Sequence, residues 1–241
     1  MSSALCFKRI LLKLSGEALQ GEQGSLDPAA ILHCASLVKE AHDCGCQLAL
    51  IVGAGNIYRG LAGSKLGMQR NCADYIGMLG TCMNALALRQ GLEAVGLNCE
   101  LQSSLPIPGL LPAFDYRQAD KLLQEGTVVL FAAGTGHPFF TTDTTAALRA
   151  SEIGADAVFK ATKVNGVYSA DPVKNPEAVR YEKISFAEAL AKRLKIMDST
   201  AFSLCQDNEL PIVVFKFGQP GLLSAILGGD FSNASIVGPQ P

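Results

Sequence analysis

The stretch from Thr127 to Leu148 constrains the fold of this chain more than any other segment. It begins with the apolar run VVLF at 128–131, which is typical of a strand buried in a parallel sheet. Gly134 and Gly136 then break the strand, and the hydroxyl-rich sequence TTDTT at 141–145 leads into a helical pattern. A strand, a glycine loop and a helix start in this order bring backbone N–H groups and hydroxyls together, which predicts an anion-binding turn.

Asp143 in this turn has two interpretations that the residues alone leave open. An aspartate at the start of a helix accepts hydrogen bonds from free backbone N–H groups and so caps the helix. Carboxylate oxygens are also the ligands that Mg²⁺ prefers in proteins. Asp143 is therefore either a helix cap or a residue that holds a metal ion.

The composition indicates a well-buried core and excludes some classes of partner. Of the 241 residues, 49% are hydrophobic and 17% are charged, and the net charge is −2. This balance provides no basic surface for nucleic acid or for an anionic membrane. No segment approaches the roughly 20 apolar residues that span a bilayer. Charged residues interrupt the N-terminal apolar run, unlike in a signal peptide, so we expect a soluble cytoplasmic protein.

The eight cysteines do not form a metal-binding pattern. The sequence has no C-x-x-C, and its one tight cluster of possible ligands, at 42–46, has no second cluster to complete a four-ligand site. Most of the other cysteines lie among apolar residues, where cysteine behaves as a small hydrophobic side chain. We expect free thiols.

Predicted strands and helices alternate along the chain. Alternation of this kind implies an α/β fold with a parallel sheet that helices cover on both faces. No repeat or linker divides the chain, so we expect a single domain, 1–241, with two lobes. The predicted strands lie at 8–14, 47–52, 99–102, 128–131, 157–160, 211–217 and 235–237, and the predicted helices at 27–43, 72–95, 116–125, 185–193 and 199–208, with a further helix from Ala146 and a loop at 161–177.

Four loops with glycine each follow a predicted strand: 15–16, 53–60, 134–142 and 162–171. In a parallel sheet such loops meet at the carboxyl edge, where ligands bind. None of them fits the P-loop pattern G-x-x-x-x-G-K-[ST], which excludes a standard Walker ATPase. Two loops contain G-x-G without the third glycine of the dinucleotide pattern, so an oxidoreductase is poorly supported.

Charged residues near these loops favour phosphate chemistry. Phosphoryl transfer needs cations and carboxylate-bound magnesium, because the protein must stabilise charge rather than supply a covalent bond. Lys13 is the most informative, since it interrupts an apolar strand immediately before Ser15 and Gly16. The residues thus predict an α/β protein that binds a nucleotide or a phosphate, and they favour a phosphotransferase. The candidate cations are Lys13, Arg59, Lys160 and Lys163, and the candidate acids are Asp74, Asp143, Asp171 and Asp198.

Four segments together resemble the bacterial UMP kinases (uridylate kinases) of the amino acid kinase family, and the resemblance spans nearly the whole chain. They are KRILLKLSGEALQG at 8–21, GAGNIYRG at 53–60, GTGHPFFTTDTTA at 134–146 and KATKVNGVYSADP at 160–172. The resemblance implies a three-layer αβα sandwich with a mainly parallel central sheet. It also implies a UMP side at about 1–155 and an ATP side at about 156–241.

The activity that the resemblance implies is transfer of the γ-phosphate of ATP to UMP, giving UDP in pyrimidine nucleotide biosynthesis. Mg²⁺ would be bridged by nucleotide phosphates, with no protein ligand assigned directly. The resemblance further implies a homohexamer that UTP inhibits and GTP activates. The helix predicted at 72–95 is apolar enough to serve either as a core helix or as an interface between subunits.

The resemblance assigns site residues by matching positions. The catalytic candidates are Lys13, Asp143, Asp198 and one of Lys160 and Lys163, between which the sequence does not decide. The positions that match ATP contacts are Lys13, Leu14, Ser15, Gly16, Gly55, Arg59, Thr162, Asn165, Tyr168 and Asp171. Those that match UMP contacts are Ala54, Asp74, Thr135, Gly136, His137, Pro138, Phe139, Phe140, Thr141 and Thr142.

Three departures from the family pattern affect these expectations. Ala54 stands where a glycine is usual, and its methyl group narrows the approach to a nucleotide. His137 replaces a usual asparagine and adds a group that titrates near neutral pH. The segment 21–26, which matches one linked to GTP activation, is about one residue shorter than in enterobacterial relatives.

Two alternative functions remain open besides UMP kinase activity. One is an enzyme of the same fold that phosphorylates a carboxylate or carbamate, for which Asp74 and the threonine-rich loop are less suited than for a nucleotide. The other is a nucleotide-sensing module without catalysis, which does not explain Lys13, Asp143 and Asp198.

Overall fold

The strands of this computed structural model, which describes residues 5–58 and 67–239, form one large sheet and one small one. The small sheet is a two-residue antiparallel pair on the loop that follows β5. The strands are β1 (Arg9–Leu14), β2 (Gln47–Val52), β3 (Cys99–Ser103), β4 (Val128–Ala132), β5 (Ala157–Thr162), β6 (Val167–Tyr168), β7 (Arg180–Tyr181), β8 (Lys183–Ser185), β9 (Ile212–Lys216) and β10 (Ala234–Gly238).

The large sheet has eight strands in the order β3-β4-β2-β1-β5-β9-β10-β8. The six strands from β3 to β9 are parallel to one another. β10 pairs antiparallel with β9 and parallel with β8, so β10 and β8 run opposite to the other six strands. The predicted α/β fold with a mainly parallel sheet is confirmed.

Helices cover both faces of this sheet and complete three layers. One core cluster joins the sheet to α1, α2 and α7, and a second joins its other face to α3, α4, α5 and α6. A short 3-10 helix, Gly16–Leu19, follows β1. The helices are α1 (Pro28–Asp43), α2 (Arg70–Ala94), α3 (Tyr116–Gln124), α4 (Thr142–Glu152), α5 (Phe186–Ala191), α6 (Ser199–Asp207) and α7 (Leu222–Leu227).

The alternation of side chains in β1 determines where its lysine points. Ile10, Leu12 and Leu14 belong to the core against α1 and α2, whereas Leu11 belongs to the core against α4. Because successive side chains of a strand point to opposite faces, Lys13 shares the α4 face with Leu11.

The neighbouring strand β5 repeats this arrangement. Phe159 packs on the α1 side and Val158 on the α4 side, so Lys160 also lies on the α4 side. The register of the parallel pair places Lys13 directly beside Lys160. Two like charges at adjacent positions repel each other, so this face of the sheet requires an anion between them.

In the ranges 5–58 and 67–239, the helices are too short or too polar to cross a membrane. All eight cysteines are free thiols, and burial raises the pKa of Cys34, Cys46 and Cys205 to about 12.

Candidate active site

The candidate site lies at the carboxyl edge of the sheet, at the end of β1. β2 pairs with one side of β1 and β5 with the other, which makes β1 the switch point of the topology. The loops after β1, β2, β4 and β5 all leave this edge, as the sequence predicts. Open α/β sheets bind their ligands at such a point.

A buried aspartate lies between the two lysines of β1 and β5. Lys160 Nζ donates to Asp143 Oδ2 at 2.6 Å, and Lys13 Nζ lies 3.0 Å from Oδ1. The three side chains are 13% (Lys13), 14% (Asp143) and 15% (Lys160) exposed. Lys160 Nζ also donates to the carbonyl of Ile196 at 2.7 Å, which fixes its position. The cluster carries a net positive charge, and it can stabilise anionic oxygens at the edge of the sheet.

The pKa values of the cluster reflect burial and charge together. Burial raises the pKa of Asp143, but the two neighbouring ammonium groups outweigh burial, so the pKa lies below its ordinary value of 3.8. Burial lowers the pKa of Lys160 below 10.5, and the like charge of Lys13 adds to this effect against the opposing attraction of Asp143. Asp143 is therefore ionised at neutral pH.

The structure excludes one of the two interpretations of Asp143, the helix cap. The N-cap of α4 is Thr141, whose hydroxyl accepts from the N–H groups of Asp143 (3.0 Å) and Thr144 (3.3 Å). The carboxylate of Asp143 points instead to the two lysines. The helix-cap interpretation of Asp143 is wrong, because a threonine two residues earlier supplies the cap.

Asp198 combines a cap with a bridge between two helices. Its Oδ1 accepts from the N–H of Ala201 at 3.0 Å and so caps α6. Its two oxygens also accept from the hydroxyl of Thr144 at 3.1 and 3.0 Å, and Oδ2 accepts from the hydroxyl of Thr141. The carboxylate therefore fixes the start of α4 to the start of α6.

A first cavity of about 160 Å³ opens on the β2 and β4 side of the cluster. Its walls include most positions expected to contact UMP, whereas Gly136, Pro138 and Phe139 belong to the same loop without lining the cavity. The sequence did not single out four lining residues from the β2 loop and α2: Tyr58, Gly77, Met78 and Thr81. The expected lining residues are Ala54, Asp74, Thr135, His137, Phe140, Thr141 and Thr142.

The loop that borders this first cavity, which we term the acceptor loop (Ala133–Thr141), has an unusual backbone. Ala133, with φ 62°, and Phe139, with φ 71°, adopt the left-handed conformation without being glycine. Each such residue costs about 1–2 kcal/mol, so other contacts must hold it. Thr81 Oγ accepts from the N–H of Ala133 at 2.9 Å, and Asp74 Oδ2 accepts from the N–H of Phe139 at 2.8 Å. Helix α2 thus holds both strained residues.

A second, larger cavity of about 540 Å³ lies on the β5 side of the cluster. Thr162, Tyr168 and Asp171, which were expected on the ATP side, line it, and so does the catalytic candidate Lys160. Asn165 accepts from the hydroxyl of Tyr168 and lines an adjoining recess. The 192–196 segment before α6 forms the opposite wall.

A third recess of about 450 Å³ lies between this cavity and the loop after β1. Lys160 and Thr162 line both the recess and the cavity. Ser15 lines it from the loop after β1. A Cβ on Gly16 would lie 2.4 Å from the carbonyl oxygen of Gly53, so glycine is required where the first two loops meet. Leu14 packs in the core, Gly55 lies in the β2 loop, and Arg59 lies outside the described residues.

Lys160 and Lys163, between which the sequence does not decide, lie in different surroundings. Lys163 lies beyond the end of β5, is 85% exposed, and pairs with Glu17 at 2.6 Å. Lys160 lies within β5 and contacts Asp143. Lys160 therefore belongs to the charged cluster, whereas Lys163 lies outside it.

Comparisons with known proteins identify the family of the chain and structures similar to it. Residues 8–216 match the model of the amino acid kinase family. The UMP kinase of Bacillus anthracis is 32% identical, with a TM-score of 0.92 over 98% of this chain and 97% of that one. The UMP kinase of Ureaplasma parvum is 35% identical, with a TM-score of 0.90 over 96% and 98%. The uridylate kinase of Archaeoglobus fulgidus is 26% identical, with a TM-score of 0.71 over 95% and 99%.

A family model that spans most of the chain and relatives above 30% identity over nearly its full length lead to the same assignment. This chain belongs to the amino acid kinase family.

Proposed function

We propose that this chain is a UMP kinase, which transfers the γ-phosphoryl group of ATP to UMP and gives UDP and ADP. The observation that carries the proposal is the position of the buried Lys13–Asp143–Lys160 cluster between two cavities. The similarity to UMP kinases over nearly the whole chain supports the choice of acceptor. The reaction would supply pyrimidine nucleotide synthesis in the cytoplasm.

UMP is assigned to the cavity beside β2 and β4, which we call the acceptor cavity. The hydroxyls and backbone of the acceptor loop suit a nucleotide, and Asp74 offers a carboxylate to a hydroxyl or N–H group. ATP is assigned to the larger cavity beside β5, which we call the donor cavity, with its phosphates directed toward Lys160 and the Ser15 loop. These assignments divide a single domain into an acceptor side and a donor side.

The chemistry requires positioning and charge stabilisation. A phosphate oxygen of UMP is already anionic, so it attacks the γ-phosphorus without a general base, and the bond to the ADP oxygen breaks. Lys13 and Lys160 would stabilise the charge on the transferring group, because they are buried and point to the same edge. Asp143 holds the two ammonium groups in place, and Asp198 positions the start of α4.

Asp143 is the side chain that we propose as a magnesium ligand. Asp143 Oδ1 has Lys13 beside it but accepts no aligned hydrogen bond, so it retains lone pairs for a cation. Across the part of the chain that the structure describes, no three His, Cys, Asp or Glu side chains form a metal-binding group. Asp143 and the nucleotide phosphates would therefore hold Mg²⁺. When bound, the ion would neutralise charge on the phosphates.

The test is the release of ADP with different acceptors. We expect turnover with UMP at a much higher kcat/KM than with CMP or dUMP, and none with glutamate or carbamate. Turnover with an amino acid or carbamate but not with UMP would overturn the proposal in favour of another activity of the fold. Release of ADP with no acceptor dependence would indicate a simple ATPase.

We also propose that the chain forms a homo-oligomer through α2, a homohexamer as in the family that it resembles. Tyr75, Leu79 and Met83 recur every four residues on one face of α2 and are 42%, 49% and 50% exposed. A stripe of large apolar side chains in water is typical of a protein interface. Inhibition by UTP and activation by GTP stay predictions from the resemblance.

A further inference from the structure

Arg70, which the sequence analysis did not single out, contacts two parts of the acceptor site. It is the first residue of α2, and its Nε lies 2.8 and 2.7 Å from the two oxygens of Asp74. Its guanidinium carbon lies 5.5 Å from the centre of the Phe139 ring, at the turn of the acceptor loop. Asp74 itself accepts from the N–H of Phe139 and lines the acceptor cavity.

The Arg70–Asp74 ion pair contributes little to the stability of α2. A cation at the first residue of α2 lies near the positive end of the helix dipole. A base four residues before an acid is also the weaker order for a helical ion pair. Gln69, at the N-cap, makes no side-chain hydrogen bond to the helix. A residue that breaks local rules in this way indicates a role outside the helix.

That role follows from what the acceptor cavity must bind. Asp74 is 11% exposed, and its negative charge alone would repel an anionic phosphate acceptor. Arg70 offsets this charge at hydrogen-bond distance and fixes the orientation of the carboxylate. The same guanidinium lies against the ring of Phe139, whose left-handed backbone needs external support.

We propose that Arg70 is a positioning residue of the acceptor site. It acts through Asp74 and Phe139: it sets the carboxylate that faces the acceptor, and it holds the turn of the acceptor loop closed over α2. The inference rests on the proposed function, because it takes UMP as the acceptor.

Kinetics with a matched control test this role. Arg89 lies on the same helix and pairs with Glu93 at 2.8 Å in the same order, with 36% exposure against 35% for Arg70, but away from the acceptor cavity. Arg70→Gln should raise the KM for UMP by about tenfold or more and leave the KM for ATP within about twofold. Arg89→Gln should change neither value. Arg70→Lys keeps the charge without the planar group and should fall between wild type and Arg70→Gln.

A double-mutant cycle separates action through Asp74 from a direct contact with UMP. If Arg70 acts through Asp74, then Arg70→Gln should add little to the KM for UMP once Asp74→Asn is present. Fold-changes that multiply would contradict the proposal. An unchanged KM for UMP in an active Arg70→Gln enzyme, or an equal change in Arg89→Gln, would also overturn it.

Hydrogen–deuterium exchange of the loop around Phe139 is measured without nucleotide. It therefore tests the role of Arg70 without assuming that UMP is the substrate. Exchange should be faster in Arg70→Gln than in wild type and unchanged in Arg89→Gln. If the wild type fails to phosphorylate UMP, the proposed function fails, and the exchange result alone decides the role of Arg70. Equal exchange in the three proteins would then rule out a positioning role.

Discussion

At the scale of single residues, the two-residue period of β1 and β5 explains the charged cluster. Lys13 and Lys160 are register partners on the same face of the sheet, and Asp143 comes from the helix packed on that face. The sequence already indicated Lys13, since a lysine inside an apolar strand needs a partner. It did not separate Lys160 from Lys163, because that choice depends on where β5 ends.

Replacement of Asp143 tests the catalytic role of the cluster. Asn keeps the shape of the side chain but leaves Lys13 and Lys160 without their counter-charge and removes the proposed magnesium ligand. We expect Asp143→Asn to bind UMP and to lose at least about 100-fold in kcat, or roughly 2.7 kcal/mol of transition-state stabilisation. Single-turnover kinetics at saturating Mg²⁺ measure this loss.

The control for this variant is Asp115→Asn, because Asp115 caps α3 away from the site and asparagine caps equally well. Asp115→Asn should retain the wild-type kcat. Wild-type turnover in Asp143→Asn would remove Asp143 from the catalytic machinery.

The lowered pKa of Asp143 predicts how its contribution to stability depends on pH. Its pKa is lower in the folded chain than the ordinary 3.8, so the contribution is complete above about pH 4 and is lost as pH falls through the folded pKa. The difference in unfolding free energy between wild type and Asp143→Asn should therefore be constant near neutral pH and should narrow below about pH 4. Urea titrations at several pH values measure it. A constant difference down to pH 2 would contradict this sign.

Arg70 shows what residue-level analysis of the sequence misses. Its partners Asp74 and Phe139 are 65 residues apart, and no periodicity or motif links them. A sequence pattern reveals neighbours along a helix or a strand, whereas this contact depends on how α2 packs beside the acceptor loop.

At the scale of elements, α2 and the loop after β2 approach each other too closely for a second methyl group. A Cβ added to Gly80 would lie 2.9 Å from the Cβ of Ala54. Ala54 is the position where the resemblance implies a glycine, and the glycine at position 80 accommodates its methyl group. The methyl group of Ala54 thus packs against Gly80 of α2 and also lines the acceptor cavity.

This contact predicts that a smaller residue at position 54 compensates for a larger one at position 80. Gly80→Ala should lower stability by about 1–2 kcal/mol, because overpacking outweighs the better helix propensity of alanine. Adding Ala54→Gly should restore at least the wild-type stability. Thermal unfolding of the two single variants and the double variant measures the coupling.

Gly77→Ala is the matched control on the same helix, because a Cβ there meets no atom within 4 Å. It should raise stability by up to about 1 kcal/mol through helix propensity alone. If Gly80→Ala behaves like Gly77→Ala, the close approach does not limit residue size.

The sequence predicted the long elements better than the short ones. Asp27 caps α1 before Pro28, as the sequence indicated. α4 begins at Thr142 rather than at Ala146, because Thr141 caps it and the threonines already form its first turn. β6, β7 and β8 have two or three residues, too few to show a period, and β6 lies within the predicted loop.

At the scale of the molecule, the exposed face of α2 predicts self-association. Wild type should sediment as a multiple of 25.4 kDa at micromolar concentration. Leu79→Glu with Met83→Glu would place charges in an apolar interface and should shift the protein toward the monomer. Leu190→Glu, at another exposed apolar side chain, on α5, serves as the control. A fully active monomeric wild type would contradict the proposed oligomer.

The placement of the two cavities also has an evolutionary consequence. Among the described residues, the acceptor and donor cavities share no lining residue, and those of the acceptor cavity all fall between positions 54 and 142. That interval is one contiguous segment, inserted between the neighbouring strands β1 and β5. Substitutions at the lining positions of the acceptor cavity can therefore reshape it while the described lining residues of the donor cavity stay unchanged. The amino acid kinase family, whose name refers to amino acid acceptors, can in this way also include enzymes such as the UMP kinase of Bacillus anthracis.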